Sequence, residues 1–262
     1  MTTTFDRPRL SPLVAEATFI KRSLIHTLRT PDALIMATVF PIIMMFLFVF
    51  VFGGALEGDG SYVNYVVPGI ILLCAGFGAA SVAVDVANDM TAGIIDRFRT
   101  MPLRASAVVT GHVITSLLRN LVATAIVIAV AIGLGFRPDA TFGEWSFAFL
   151  LIAGYILAMT FLFAAIGLAA SSPEAASGYG FIVMFIPYVS SAFVPVDTMP
   201  EWLRWVAENQ PLTPIIETVR GLLLGTDIGD SAGLAVMWCA IILMVAIVWT
   251  SVAFRAKGRA GA

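Results

Sequence analysis

Four stretches of this chain, residues 33–56, 146–170, 177–196 and 231–254, run for about twenty residues or more without one Asp, Glu, Lys or Arg. Two more, 65–87 and 113–136, hold a single charge each, Asp85 and Arg119, both near an end of the run. About 20 apolar residues carry an α-helix across the hydrocarbon core of a bilayer. The composition points the same way: of 262 residues, 59% are apolar and 12% charged, against about 45–50% and about 25% in ordinary soluble domains. A soluble domain of this length could not hide so much apolar surface. The expected fold is all-α and integral to the membrane, with six transmembrane helices over the six runs. Pro41, Pro68 and Pro187 fall inside them and mark candidate kinks, because neighbouring helices can satisfy the carbonyl each proline frees.

The direction of threading follows from Lys and Arg in the loops. Arg7, Arg9, Lys21, Arg22 and Arg29 precede the first run; Arg97, Arg99 and Arg104 lie between the second and third; Arg255, Lys257 and Arg259 follow the last. The opposite side holds Arg137, Arg204 and Arg220, although it carries the longest loop. The imbalance puts both termini in the cytoplasm, and an even number of spans agrees. The net charge of −2 creates no global field toward nucleic acid. The first 30 residues lack a short apolar core followed by a small-residue cleavage site, so the start of the chain is expected to be retained.

Three segments outside the spans have helical patterns of their own. Before the first span, Leu13, Ala17, Ile20, Leu24 and Leu28 share a face, with Ser11 and Pro12 suited to the helix start and Pro31 to its end. Such an amphipathic helix lies in the interface, its basic side, with Lys21, Arg22 and Arg29, toward lipid phosphates. In the loop 88–104, Met90, Ile94, Phe98 and Met101 fall on one face, while Asp89, Asp96, Arg97 and Arg99 lie elsewhere. Gly93 weakens that helix by about 1 kcal/mol against alanine, and Pro102 ends it. This piece reads either as a solvated connector or as a surface on which a soluble motor pushes. In the outer loop 197–230, Trp202 and Trp205 suit the membrane interface. Glu217 and Arg220 stand one turn apart on a second short helix ending at Gly225. The pair of helices is expected to be re-entrant or to lie on the surface.

Catalytic patterns are missing. A phosphate-binding loop needs Gly-Lys followed by Ser or Thr, and the only lysines are Lys21 after Ile20 and Lys257 after Ala256. His26 and His112 stand in different segments with no metalloprotease or nucleophile-elbow motif around them. Cys74 and Cys239 lie in apolar runs and read as core or lipid-facing residues. No metal or cofactor is expected in this chain. Asp85 and Arg119 can lie at similar depth near the cytoplasmic face, as an ion pair locking spans two and three. Aromatic and sulfur residues crowd 40–52 and 179–193, the latter with Met184, Phe185, Tyr188 and Phe193. They fit packing or lipid contact, or a soft wall for a hydrophobic substrate.

The run from Gly93 through Asp96, Arg97, Arg99 and Pro102, followed by Gly111-His112-Val113, resembles the signature between spans two and three of ABC type-2 exporter permeases. More narrowly, it resembles the daunorubicin/doxorubicin-resistance permease branch of actinobacteria. Residues 191–203, with Pro195, Asp197, Pro200 and Trp202, and residues 207–214, with Pro211 and Pro214, match the same branch. His112 departs from it, standing where a basic Arg or Lys is common. The resemblance covers nearly the whole chain, as a single transmembrane domain over 1–262. It implies an N-terminal interfacial helix, a cytoplasmic coupling helix and an outer re-entrant hairpin before the last span. It further implies a permease half of a bacterial plasma-membrane exporter, working as a homodimer or heterodimer with two copies of a separate ATPase that binds ATP and Mg. The ATPase would dock through Asp89, Gly93, Asp96, Arg97, Arg99 and Pro102 and through the N-terminal helix. A hydrophobic drug-like molecule would be the cargo; a lipid or lipid-linked glycan is the rival within transport, and a non-transporting scaffold subunit the rival outside it.

Overall fold

The computed structural model describes residues 32–56, 62–92 and 106–260. The expected interfacial helix with Lys21, Arg22 and Arg29 lies outside the described residues. So do residues 93–105 of the loop between the second and third expected spans. Among the described residues the chain is helical with no strand. The helices are α1 Asp32–Phe46, α2 Tyr62–Thr91, α3 Ser106–Gly133, α4 Phe142–Ala169, α5 Pro173–Val183, α6 Glu201–Asn209, α7 Leu212–Leu224 and α8 Ser231–Ala260.

Four helices are long and apolar enough to cross a bilayer: α2, α3, α4 and α8. Helix α2 is the central pillar. Residues Ile70 to Leu73 are buried on every side, as expected of a helix that is apolar all round, and α1, α3, α4, α5 and α7 pack around it. Helix α8 is the opposite case. It rests on α4 and α7 through a narrow stripe of Ala235, Cys239, Ala246 and Thr250, while Val236, Met244, Val245, Val248 and Val252 stay exposed. Its most apolar window is 17% buried, against 72% for α2. An uncovered apolar surface of that extent belongs in lipid, and the chain is a multi-pass membrane protein.

The first and fifth expected spans depart from continuous α-helix. Helix α1 contains Pro41 and runs into a wider π-helical stretch, Leu47–Phe52, then the turn Gly53–Leu56. Proline at position 41 removes the hydrogen bond to the carbonyl four residues back, and that Ala37 carbonyl instead accepts from the Cys74 thiol of α2 at 3.5 Å. A neighbouring helix thus satisfies what the proline freed.

The expected span 177–196 breaks midway. Helix α5 starts one turn earlier, at Pro173. There the Ser172 hydroxyl accepts from the Ala175 amide at 3.2 Å and holds the Glu174 carboxyl below the usual carboxylate range. The helix stops at Val183; a 3-10 turn, Ile186–Val189, follows, and 190–195 are not helical. Pro187 explains the break, since it donates no backbone hydrogen bond and disfavours helical geometry at Ile186. Downstream, Ser190 donates to the Pro187 carbonyl at 2.5 Å and accepts from the Ala192 amide at 3.1 Å. Those bonds replace the helical ladder. Non-helical backbone at membrane depth requires cover by protein, and Ser190, Ser191, Ala192 and Phe193 are all buried. Close approach makes this possible: a Cβ on Gly69 of α2 would stand 2.7 Å from the Ala192 Cα.

The two outer helices behave differently from each other. Helix α6 exposes Trp202 and Trp205, whereas α7 is buried along most of its length, packed on α8, α4 and α2. Gly225 closes α7 at φ 68°, a left-handed cap that glycine adopts without steric cost.

Candidate functional site

The irregular segment after α5 is held by a cluster of polar groups from distant parts of the chain. Tyr62 donates its hydroxyl to the Phe193 carbonyl at 2.7 Å, across 131 residues of sequence. Tyr65 donates to the Ser191 carbonyl at 3.0 Å. The centre of the cluster is Arg220 of α7, which is 6% exposed. Its guanidinium donates from Nη2 to the Ser191 carbonyl at 2.7 Å and from Nε to the Tyr65 carbonyl at 3.2 Å. From Nη1 it pairs with Glu217 at 2.9 Å, and the Cζ lies 3.9 Å from the centre of the Tyr65 ring. A planar fork of donors suits such a joint, because one cation reaches several acceptors in fixed directions. The desolvated charge is answered by a carboxylate, two carbonyls and an aromatic face.

The same segment carries an aromatic chain. Phe185 and Tyr188 have centroids 6.0 Å apart, Tyr188 and Phe193 5.3 Å, and Phe193 stacks on Phe48 of the π-helical stretch at 4.1 Å. Phe181 meets Phe185 edge-on at 4.9 Å, and Phe48 is followed by Phe52 at 5.4 Å. The fold therefore joins the two aromatic-rich stretches, 40–52 and 179–193, into one row. Three of the four candidate pathway residues, Phe185, Tyr188 and Phe193, stand in it. Met184 turns the other way and lines an apolar cavity behind α5. Phe193 is buried, Tyr188 partly so, and Phe185 exposed, so the row leads from the interior of the chain to its exposed surface.

On the opposite side of the membrane, α2 and α3 are tied just where the undescribed loop 93–105 leaves and returns. Asp89 and His112 meet at 2.8 Å, each about a quarter exposed. Asp89 alone of the expected docking residues is described; Gly93, Asp96, Arg97, Arg99 and Pro102 are not. Deeper in the same helix pair, Arg119 is buried and donates to the Gly78 carbonyl at 3.3 Å and to the Ser81 hydroxyl. The Asp85 carboxylate acts on it as a nearby opposite charge. Ser116, Asn120 and Thr124 continue a buried polar stripe along α3, with Asn120 donating to Ser116 at 3.3 Å.

A family model for ABC-2 type transporters matches residues 16–224, which takes in the broken helix, the arginine joint and the Asp89–His112 pair. The chain belongs to the ABC-2 type transporter family. Among its relatives, a daunorubicin resistance ABC transporter permease of Streptomyces coeruleorubidus is 29% identical over 90% of this chain and 87% of its own length. A probable doxorubicin resistance ABC transporter permease of Mycobacterium tuberculosis is 23% identical over 84% and 80%. A putative transport permease of Cyanophora paradoxa is 27% identical over 78% and 72%. The family is one of permease subunits, which carry no ATPase site of their own. Among the described residues no cluster of His, Cys, Asp and Glu is arranged for a metal ion.

From the sequence, Arg220 reads as one of the few outer-loop cations and as the helical neighbour of Glu217. Its role as the joint of the outer half was not visible, because Tyr65 and Ser191 are remote in sequence. The one available signal was an arginine inside an otherwise apolar short helix, which has to find partners.

Proposed function

We propose that the chain is the membrane-spanning subunit of an ATP-driven exporter that carries a hydrophobic, drug-like molecule out of a bacterial cell. The observation that carries this reading is the likeness to the daunorubicin resistance permease over nine tenths of the chain. Both termini are on the cytoplasmic side of the plasma membrane, as the loop charges argue. Two permease copies, identical or closely related, form one pathway, and the exposed aromatic faces of α1 and α5 offer the surface for it. A separate ATPase subunit binds ATP and Mg and docks against each copy through the coupling helix at 88–104 and the N-terminal interfacial helix. The aromatic row from Phe185 to Phe48 supplies a polarisable wall beside which a flat apolar cargo moves. The arginine joint keeps the outer half of that wall rigid while the cytoplasmic half is pushed.

The test is reconstitution with the cognate ATPase in inside-out proteoliposomes, following daunorubicin fluorescence. Accumulation that needs ATP and both subunits is expected. Saturable ATP hydrolysis without movement of daunorubicin, or of any tested lipid-soluble drug, would overturn the drug reading. ATP-driven flipping of a labelled lipid in the same vesicles would install the lipid alternative.

A further inference from the structure

Behind the aromatic row, α2, α4, α5, α7 and α8 enclose an apolar cavity of about 170 Å³. Its wall includes Phe77, Met159, Phe163, Met184, Pro187 and Ile215. One polar group faces it. Tyr155 of α4 is 1% exposed, and its hydroxyl lies beside Gly76. Among the described residues that hydroxyl has no hydrogen-bond partner. Buried tyrosine hydroxyls ordinarily find one, and this one sits near the middle of α4, about 20 Å from each helix end, where lipid offers none. A cavity of this size stays dry when apolar and takes a single aromatic ring.

The cavity is not closed. Leu162 and Val183 line it and also line a wider chamber of about 530 Å³. The wider chamber is bounded by Ile166 and Ala169 at the end of α4, Tyr179 and Ile182 of α5, and Trp249 of α8. Tyr179, Ile182 and Trp249 are exposed, so this mouth faces the membrane. The end of α4 and the start of α5 place it in the cytoplasmic half. The two chambers together reach the size of a drug-sized pocket.

We infer that this funnel is a binding site, within one protomer, for a hydrophobic molecule drawn from the inner leaflet. A single ring bearing an oxygen acceptor seats in the inner chamber on the Tyr155 hydroxyl, and any bulkier remainder stays in the outer chamber beside Tyr179 and Trp249. The inference deepens the exporter reading and rests on it for the ligand's role, though not for its binding. The geometry sets the specificity: the inner chamber admits one slim ring system, and its one donor rewards a phenol, ketone or ether over a pure hydrocarbon. Position 162, at the neck, decides access.

The test is equilibrium binding of tritiated p-cresol and tritiated toluene to the full chain in nanodiscs, with empty nanodiscs subtracted. The wild-type protein is expected to bind both saturably, p-cresol more tightly. Tyr155→Phe keeps the ring and loses the donor; p-cresol affinity is expected to fall about five- to tenfold, one hydrogen bond's worth, with toluene unchanged. Leu162→Trp blocks the neck and is expected to abolish saturable binding of both, with Val183→Trp as a second blocking variant and thermal melting to verify the fold of each. No saturable binding to the wild type would overturn the site, as would p-cresol binding untouched by Tyr155→Phe or by both blocking variants. Because neither ATPase nor ATP is involved, a failed export assay with intact binding sinks the exporter reading alone. Export unaffected by blocked binding sinks the site as a station for cargo.

Discussion

Arg220 shows how a single residue can be expensive and necessary together. An arginine in an apolar setting costs several kcal/mol to desolvate, and here that cost is offset by a carboxylate, two carbonyls and the Tyr65 face. Removing the cation takes a charged donor from the buried Ser191 carbonyl and from the Tyr65 carbonyl, a change that costs about 1–3 kcal/mol. Arg220→Met is expected to lower the melting temperature of the purified protein sharply. Arg220→Lys, which keeps the charge but not the fork, is expected to recover only part of the loss. Equal melting of wild type and Arg220→Met would refute the account. Cys74 makes the smaller version of the same point. Its thiol meets the carbonyl released by Pro41, so a residue that reads from sequence as core filling also serves the backbone of its neighbour.

At the scale of elements, hydropathy located apolar runs but could not tell which of them are unbroken helices. The runs that became α2, α3, α4 and α8 were legible because a long apolar stretch in lipid has little choice but to hydrogen-bond within itself. The run 177–196 is equally free of charge, yet it breaks after Val183. Pro187 marks the break in the sequence, but what holds 191–193 beyond it, the bonds from Tyr62, Tyr65 and Arg220, comes from residues whose proximity no local pattern encodes. The π-helical stretch escaped for a related reason, since periodicity near 3.6 does not register one wide turn. The candidate residues divide the same way: Phe185, Tyr188 and Phe193 were found by composition, Phe48 as their stacking partner only by the fold. At the other end of α2, the Asp89–His112 contact ties α2 to α3 on either side of the loop between them. In a double-mutant cycle of Asp89→Asn and His112→Ala, a coupling energy below about 1 kcal/mol is expected, in keeping with a pair that keeps about a quarter of its surface in solvent. Arginine at position 112 is expected to preserve the clamp. Strict additivity in thermal melts would argue that the contact does nothing for the fold.

With the termini in the cytoplasm, as proposed, the outer half is the one held by the Arg220 joint, and the cytoplasmic half carries the Asp89–His112 contact beside the loop on which the motor would push. If the loop around Asp96 is where the motor pushes, Asp96→Ala with Arg97→Ala is expected to leave membrane insertion and ATPase turnover intact. ATP-dependent export should fall at least tenfold in the reconstituted complex. Full export by that variant would remove the loop from the coupling path. The outer half has a further property that follows from its wiring. One guanidinium there ties the non-helical segment 190–193 to α2 and α7, and that segment has no helix of its own to fall back on, so it does not open without breaking the joint. Backbone amides of 190–193 and of α7 should therefore exchange with deuterium at a common rate, as one cooperative unit. That shared rate should split into separate, faster ones when Arg220 is replaced. A permease built this way loses its outer half all at once or keeps it, and partial fraying at the outer face is not among its accessible states.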